Sequence, residues 1–286
     1  MKTILIQLDT DPLPSTFDRV VAVDADVDQL FSYGGVTPEM VEPLVHGAMF
    51  TRGPKDLKST AIFIGGSNVA AGEKLLAKVQ KVCFGPVRVS VLMDSNGSNT
   101  TAAAAVLSAR KHLTLAGCEA VVLAGTGPVG QRAAQILASE GARVRVASRS
   151  VERAGQTCEA IRQALPQAQV IPVAAGNTSE TRAACEGAAL VIAAGAAGVE
   201  LLSAETRGQL GSLRVAIDLY AGPPAGIAGV EVFDKGTDRG GILCYGAIGV
   251  GGLKMKIHKG ASRRLFEAND AVLETAAIYQ LGLGLV

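Results

Sequence analysis

A glycine-rich turn is the part of this 286-residue sequence that most directly suggests chemistry. Gly125, Gly127 and Gly130 follow the apolar run 120–123 and precede a helix that we predict from Pro128. In a strand–turn–helix unit, this G-x-G-x-x-G spacing permits a tight turn, a close approach of the backbone to a pyrophosphate, and close helix–strand packing. The N–H groups at the start of the helix would face the phosphates, although a turn without a ligand can have the same spacing. The predicted cofactor contacts here are Gly125, Thr126, Gly127, Pro128, Val129 and Gly130.

The strand predicted over residues 143–147 indicates which dinucleotide would bind. A site for NAD places a carboxylate about 20 residues after the first glycine, where it binds the ribose 2′-hydroxyl. Here the strand leads into Ser148, Arg149 and Ser150, and the first carboxylate after them is Glu152. A guanidinium flanked by hydroxyl groups suits a 2′-phosphate, which a carboxylate would repel. We therefore expect NADP as the cofactor, in contact with Ser148, Arg149 and Ser150. The alternative is that Arg149 is a solvated surface charge.

Two further loops are expected to lie beside the nicotinamide. They follow strands predicted over residues 190–193 and 214–219, and ligands of open α/β sheets bind beyond the carboxyl ends of the strands. The first is the loop Gly195–Gly198, and the second begins at Asp218, for which capping of a turn is an equal alternative. The predicted contacts are Ala194, Gly195, Ala196 and Asp218.

The elements that must position these residues alternate between strands and helices. The predicted strands cover residues 3–8, 60–64, 87–93, 120–123, 143–147, 169–173, 190–193 and 214–219. The predicted helices cover residues 69–82, 101–112, 128–139, 151–164 and 261–280. Strand, turn and helix in repeated succession are typical of parallel α/β units. The predicted fold class is therefore α/β, and the chain is long enough for two domains.

Composition and charge exclude several classes of protein. Glycine is in excess, with 34 residues or about 12% of the chain against a typical ~7%. The glycines do not follow the Gly-X-Y repeat of collagen, so that class is excluded. An apolar fraction of 48% argues against a disordered chain. Lys and Arg number 27 and Asp and Glu number 26, without the basic stripe typical of nucleic-acid binders. The five cysteines are widely spaced and form no C-x-x-C pair, so we expect neither a metal site nor disulfides.

The sequence also lacks the signals of export or of a membrane span. Asp9 comes too early for the apolar region of a signal peptide, and no charge-free stretch is apolar enough for a transmembrane helix. We therefore expect a soluble cytoplasmic protein with no nucleic-acid partner and no membrane partner.

A dozen ordered features of the chain resemble the NADP-dependent methylene-tetrahydromethanopterin dehydrogenases of methylotrophic bacteria, a family in which methylene-tetrahydrofolate is also used. One feature is the arginine after the second strand of the glycine-rich unit. The other matching segments are QLDTDPLPSTFD, YGGVTP, FTRG, KSTAIFIGG, AAGE, FGP, MDSNGSNTTAAA, VVLAGTGPVG, PPAGIAGV, DKG and GAIGVGGLKMKIH. They extend over nearly the whole chain. The departures are small: Gln7–Leu8 stands where the family has a Gln-Phe pair, and Ser148 where it has glycine.

The resemblance implies a Rossmann-like NADP-binding domain over residues 109–249. It implies a pterin-binding α/β domain from residues 1–108 and the C-terminal helices of 250–286, with an active-site cleft between the domains. It further implies a homo-oligomer, such as a trimer or hexamer. The implied reaction is reversible hydride transfer from the N–CH2–N carbon of the pterin substrate to NADP, which gives the methenyl derivative.

That reaction requires no general base, because two nitrogen lone pairs stabilise the cation that remains. The requirement fits the sequence, in which His46, His112 and His258 form no obvious constellation. Lys254 matches the family's active-site lysine, and we expect it to position the substrate or to tune the local field. A loop lysine in a structural salt bridge is the alternative. Lys256 would point the opposite way in an extended segment and is a weaker candidate for substrate contact.

The remaining substrate-side candidates come from the same resemblance. Polar residues 94–101 offer donors and acceptors to the amide and amino edge of a pterin, although Asn99 or Thr100 could instead cap a helix. These candidates are Asp94, Ser95, Asn96, Ser98, Asn99, Thr100 and Thr101. Phe17 and Tyr33 could stack on the substrate rings, with core packing as an equal alternative. The pair Thr51–Arg52 and the triplet Lys58–Thr60 are further candidates for substrate contact.

Two rival functions stay open at this point. One is a shikimate-dehydrogenase-like NADP oxidoreductase, which would use a pair such as Lys58 and Asp94 to handle a hydroxyl proton. The other is a non-catalytic NADP-binding sensor that retains the cofactor turn.

Overall fold

The computed structural model describes residues 1–196 and 198–286, and it divides into two compact units. The first unit comprises residues 1–100 and 255–285, and the second comprises residues 101–254 with the terminal Val286. The chain passes from one unit to the other inside the continuous helices Ser98–Arg110 and Ala247–Arg264 rather than through linkers. The boundaries predicted near residues 108 and 250 fall within these same two helices.

Strands and helices alternate along most of the chain. The strands are β1 (Ile4–Asp9), β2 (Gln29–Tyr33), β3 (Thr60–Gly65), β4 (Ser90–Met93), β5 (Glu119–Leu123), β6 (Arg143–Ser148), β7 (Val170–Ala174), β8 (Leu190–Ala193), β9 (Val215–Asp218), β10 (Lys235–Asp238), β11 (Leu243–Tyr245) and β12 (Val272–Leu273). The helices are α1 (Thr16–Asp24), α2 (Pro38–Phe50), α3 (Val69–Val82), α4 (Ser98–Arg110), α5 (Pro128–Ser139), α6 (Val151–Ala164), α7 (Thr178–Cys185), α8 (Ala204–Gln209), α9 (Ala247–Arg264) and α10 (Thr275–Leu283).

The first unit is built on a parallel sheet with strand order β12-β4-β3-β1-β2. The inner strand β3 is buried at every residue, whereas the edge strand β2 alternates between exposed and half-buried residues. Side chains such as Leu8 and Ile64 pack against Met49 of α2 and Val79 of α3 in one apolar core. Because the strands are parallel, the ends of β1, β3 and β4, each followed by a polar loop, lie at the same edge of the sheet.

The second unit is built on a seven-stranded sheet with order β10-β11-β9-β8-β5-β6-β7, in which only β10 is antiparallel to its neighbour. The parallel strands, counted along the chain from β5, have the order 3-2-1-4-5-6 of a doubly wound dinucleotide-binding sheet. The strand order reverses between β5 and β8. The predicted α/β fold class with a Rossmann-like domain is confirmed.

The C-terminal third corrects two predictions. The segment that contains Lys254 is neither a loop nor extended, because it lies within helix α9. A Cβ atom on Gly249 would lie 1.7 Å from the carbonyl oxygen of Asp234, so close packing of the helix requires that glycine. The single helix predicted over 261–280 is also wrong, because α9 ends at Arg264 and β12 joins the sheet before α10 begins.

Helices α3, α5 and α6 and strand β8 have the predicted bounds. Within the part of the chain that the structure describes, none of the helices combines the length and the apolarity needed to span a bilayer.

Candidate functional site

The glycine-rich turn connects strand β5 to helix α5. The N–H of Gly125 donates to the carbonyl of Ala147 at 2.9 Å, and Gly127 is the N-cap of α5, with Pro128 as the first helical residue. A Cβ atom on Gly130 would lie 2.8 Å from the Cα of Gly125, so packing of the helix on the turn requires glycine there. At Gly127, the nearest atom to such a Cβ lies at 3.5 Å, which is ordinary contact. Packing within the protein therefore does not require glycine at position 127. The open space beside the Gly127 backbone is what the close approach of a bound pyrophosphate requires.

A cavity of about 530 Å³ opens beside this turn, at the carboxyl ends of β5, β6 and β8. It lies where the strand order reverses, which is the position of the dinucleotide in this class of sheet. The predicted cofactor residues that line it are Thr126, Ser148, Arg149, Ser150, Gly195 and Ala196. Lining residues that we did not predict include Arg153, Asn177, Thr178, Thr181 and Glu200.

Two arginines give the β6 side of the cavity a positive charge. Arg149 follows β6 directly, and Arg153 lies in the first turn of α6, where its backbone N–H donates to the capping Ser150 hydroxyl at 3.2 Å. A cation in the first turn of a helix opposes the helix dipole, whereas an anion there is favoured. Neither guanidinium forms an ion pair with any residue that the structure describes. This end of the cavity therefore suits an anionic group such as a 2′-phosphate.

The signal for Arg153 was present in the sequence. It stands three residues after the helix-capping Ser150, at a position where acidic residues are favoured and basic ones are not. A basic residue at such a position is unfavourable for the helix, and an anion bound beside it would compensate the charge.

The loop after β8 also borders the cavity. The N–H of Ala194 donates to the carbonyl of Leu123 at 3.1 Å, which holds the loop against the end of β5. A Cβ atom on Gly195 would lie 2.7 Å from the Leu201 side chain. Ala197, which belongs to the predicted loop Gly195–Gly198, lies outside the described residues.

Asp218 is buried at the end of β9 and is not among the residues that line the cavity. Its carboxylate accepts N–H hydrogen bonds from Tyr220 at 3.1 Å and from Ile227 at 3.0 Å. Burial raises the pKa of this carboxyl, and the backbone hydrogen bonds oppose that shift. Of the two roles considered for Asp218, this geometry supports the one that closes the loop 219–227.

In the first unit, Asp94 organises the loop between β4 and α4. Its carboxylate accepts hydrogen bonds from the N–H groups of Asn99 and Thr100 at 2.9 and 3.0 Å, and from the Thr100 hydroxyl at 2.6 Å. The helix begins at Ser98, three residues before the predicted start, and the side chain that accepts its first N–H groups is that of Asp94 rather than that of Asn99 or Thr100. The helix is therefore capped by a side chain, as the alternative interpretation proposed, but that side chain is Asp94.

Most polar side chains of residues 94–101 bind other protein groups. The amide of Asn99 donates to the Met93 carbonyl at 2.8 Å and accepts from the Thr275 hydroxyl at 2.7 Å. The buried members are Asp94, Ser95, Ser98, Asn99 and Thr100. Asn96 is exposed, with a left-handed backbone (φ 56°), and Thr101 is half-buried. These two side chains are therefore the accessible ones for a ligand.

The lysines of helix α9 differ in exposure. Lys254 is half-buried and Lys256 is exposed. On a helix, two positions separated by two residues differ by about 200° in direction. The two side chains therefore diverge, as expected, although the predicted reason, an extended segment, is wrong.

Phe17 and His258 lie together in the first unit. Phe17, in the first turn of α1, is 50% exposed, and its ring centroid is 6.3 Å from that of His258. His258 is buried; its ring stacks on Phe63 at 5.7 Å, and its Nδ1 atom is 4.0 Å from Oδ2 of Asp94. Sequence reasoning missed this cluster because its members come from four separate elements.

The further substrate candidates on β2 and around the start of β3 contact other parts of the protein or lie at the edge of the sheet. The Arg52 guanidinium donates to the carbonyls of Ser59 at 2.6 Å and Lys2 at 3.0 Å, and the Thr51 hydroxyl donates to the Gly47 carbonyl at 3.0 Å. Thr60 is buried in β3 and Tyr33 is 42% exposed on the edge strand β2. Arg52 thus supports the backbone around β3.

Comparison with known proteins gives four informative matches. A family model described as methylene-tetrahydromethanopterin dehydrogenase, N-terminal, matches residues 16–96. The chain is 43% identical to the "Bifunctional protein MdtA" of Methylorubrum extorquens over 282 residues, which cover 98% of each chain. It is 33% identical to the NAD(P)-dependent methylenetetrahydromethanopterin dehydrogenase of the same organism, with 94% of each chain covered. Shikimate 5-dehydrogenase from Listeria monocytogenes, solved with shikimate and NAD, has a TM-score of 0.55 at 12% identity, over 100% of this chain and 96% of that one.

The likeness to the Listeria shikimate 5-dehydrogenase, at 12% identity, shows the fold alone. The two Methylorubrum proteins, in contrast, match in sequence along nearly their full length. The chain belongs to the methylene-tetrahydromethanopterin dehydrogenase family.

Proposed function

We propose that this protein catalyses reversible hydride transfer between methylene-tetrahydromethanopterin and NADP⁺, with the methenyl derivative as the oxidised product. The observation that carries the proposal is the 33% identity, over 94% of each chain, to a protein named NAD(P)-dependent methylenetetrahydromethanopterin dehydrogenase. The glycine-rich turn and the cavity beside it fit the cofactor. Methylene-tetrahydrofolate, which carries the same reacting N–CH2–N group, is proposed as a second substrate.

Each part of the cavity would hold a different part of the cofactor. Backbone N–H groups at Gly127 and at the start of α5 would bind the pyrophosphate, and Arg149 with Arg153 would bind the 2′-phosphate. The loop at Gly195 would lie beside the nicotinamide, which when bound supplies the carbon that accepts the hydride. The two arginines support a preference for NADP over NAD.

The reaction requires the protein to position the substrate and the cofactor, and it does not require acid–base catalysis. The carbon that loses the hydride lies between two nitrogens, whose lone pairs stabilise the product cation. The task of the protein is to hold the substrate carbon against the nicotinamide and to exclude water. We assign Lys254 as the catalytic residue that orients the pterin and tunes the local field. Phe17 would stack on the pterin, and Asn96, Thr101 and Lys256 would supply polar contacts.

We further propose a cytoplasmic homo-oligomer, such as a trimer or hexamer, without nucleic-acid or membrane partners. The free thiols of buried Cys158, Cys185 and Cys244 suit a reducing compartment. The exposed aromatic pair Phe50–Phe84, with ring centroids 6.2 Å apart, supports a contact between subunits. Sedimentation of the purified protein as a monomer at micromolar concentration would contradict the oligomer.

A direct assay tests the activity. The purified protein is mixed with NADP⁺ and either methylene-tetrahydromethanopterin or methylene-tetrahydrofolate, and the absorbances of NADPH and of the methenyl product are recorded together. We expect the two products in equal amounts. The absence of turnover with both pterins would refute the proposal and favour a sensor. NADPH formation from shikimate in a parallel reaction would favour the rival oxidoreductase.

A further inference from the structure

The buried imidazole of His258 has no part in the chemistry proposed above. His258 is 1% exposed and faces the fully buried Asp94, with its Nδ1 atom 4.0 Å from Oδ2. Because the departure of a hydride requires no general base, acid–base catalysis does not account for this pair.

Capping of helix α4 does not account for His258 either. Asp94 already accepts two backbone N–H groups on Oδ1 and the Thr100 hydroxyl on Oδ2, so the helix is capped without the imidazole. Burial of an ionisable pair costs desolvation energy that an apolar side chain of similar volume would avoid. Stability of the core therefore favours an apolar residue at position 258.

What His258 does contact is an exposed aromatic ring. Its ring centroid lies 6.3 Å from that of Phe17 and 5.7 Å from that of the buried Phe63. The backbone beside Phe17 is fixed by other groups, because the Asp9 carboxylate accepts the N–H of Ser15 at 3.0 Å and Ser15 caps α1. The contact with His258 therefore bears on the direction of the Phe17 side chain rather than on the position of the helix.

We infer that His258 is a positioning residue whose buried ring, stacked on Phe63 with its Nδ1 edge towards Asp94, holds Phe17 in the direction in which it stacks on the pterin. The inference rests on the proposed function, in which Phe17 contacts the substrate. An exposed phenylalanine in the first turn of a helix otherwise has several rotamers open to it. A fixed ring reduces the conformational entropy that is lost when the pterin binds, so the effect falls on pterin affinity.

Two substitutions separate the ring from its polar edge. His258→Leu removes the ring and fills part of its volume, whereas His258→Phe keeps an aromatic ring but removes the nitrogen that faces Asp94. We expect His258→Leu to raise the KM for methylene-tetrahydromethanopterin about tenfold and His258→Phe to raise it less. The KM for NADP⁺ should change by less than twofold. The dissociation constant of the methenyl product, titrated without cofactor, should rise in the same order. His46→Leu is the control, because His46 also contacts a phenylalanine, Phe50, at 5.2 Å, but on helix α2.

A double-mutant cycle tests whether His258 acts through Phe17. If it does, His258→Leu should change the pterin KM by less than twofold in a Phe17→Ala background. The inference is overturned if the single variant leaves the pterin KM unchanged, if only its melting temperature falls, or if the two effects multiply. Should His258→Leu not fold, the same cycle with His258→Phe decides. A wild-type protein inactive with both pterins refutes the proposed function and this inference together, whereas an active wild type with an unaffected variant refutes the inference alone.

Discussion

The charge of Arg149 makes a quantitative prediction about cofactor choice. In Arg149→Asp, the guanidinium at the β6 end of the cavity is replaced by a carboxylate. A carboxylate at this position binds the ribose 2′-hydroxyl of NAD and repels the 2′-phosphate of NADP. A hydrogen bond to a charged group contributes about 1.5–3 kcal/mol, and about 1.4 kcal/mol corresponds to a tenfold change in affinity. Arg149 is exposed, so the lower end applies. We expect NADPH to bind at least about tenfold more weakly, while NADH, which lacks the phosphate, does not lose affinity.

The assay is a titration of the purified variants with NADPH and with NADH, followed by cofactor fluorescence. Arg153→Ala should weaken NADPH binding as well, since both guanidiniums line the same cavity. Arg143→Ala is the matched control, because Arg143 lies at the start of β6, the strand that Arg149 follows, but pairs with Glu119 and is not among the cavity-lining residues. An unchanged NADPH dissociation constant in Arg149→Asp would refute the reasoning. An equal loss for NADH would refute it too, because the effect would then not depend on the phosphate.

Three further predictions follow from the contacts of single residues. Gly130→Ala should lower the free energy of unfolding, measured in urea, by about 1–3 kcal/mol, because its Cβ would lie 2.8 Å from a backbone atom. Gly127→Ala should leave the free energy of unfolding unchanged and weaken NADPH binding. Equal losses of stability in the two variants would contradict this prediction. Thr100→Val removes the 2.6 Å hydrogen bond to buried Asp94 and should lower the free energy of unfolding by about 1.5–3 kcal/mol, and a change near zero would contradict the capping role. Burial raises the pKa of Asp218, so the folded state binds a proton at a higher pH than the unfolded state does. Relative to Asp218→Asn, the wild type should therefore gain free energy of unfolding as the pH falls from 7 towards 4, and a constant difference in urea titrations would count against it.

Strands β5, β6 and β8 and helices α5 and α6 of the second unit could be predicted closely from the sequence because their signals are local, whereas α7, α8, β10 and β11 were not predicted. Buried parallel strands are read as continuous apolar runs, and the turn at Gly125 and the cap at Ser150 are each formed by a few neighbouring residues. Arg149 was found by its distance from that turn. The same logic would have found Arg153, had its position in the first turn of α6 been considered against the helix dipole.

The first unit was harder because its organisation depends on distant residues. Helix α1 and edge strand β2 were not predicted, since a nine-residue helix after a proline-containing loop and a strand without a continuous apolar run give weak patterns. His258 meets Phe17 and Asp94 only through the fold, and no spacing in the sequence reports that contact.

The most direct test of the central claim is to follow the transferred hydrogen. The purified protein is given NADP⁺ and methylene-tetrahydromethanopterin that carries two deuterium atoms on the N–CH2–N carbon, and the NADPH is analysed by mass spectrometry. Our account predicts one deuterium in each NADPH and one methenyl product for each NADPH formed. NADPH without deuterium, or no NADPH at all, would contradict direct hydride transfer from the pterin substrate.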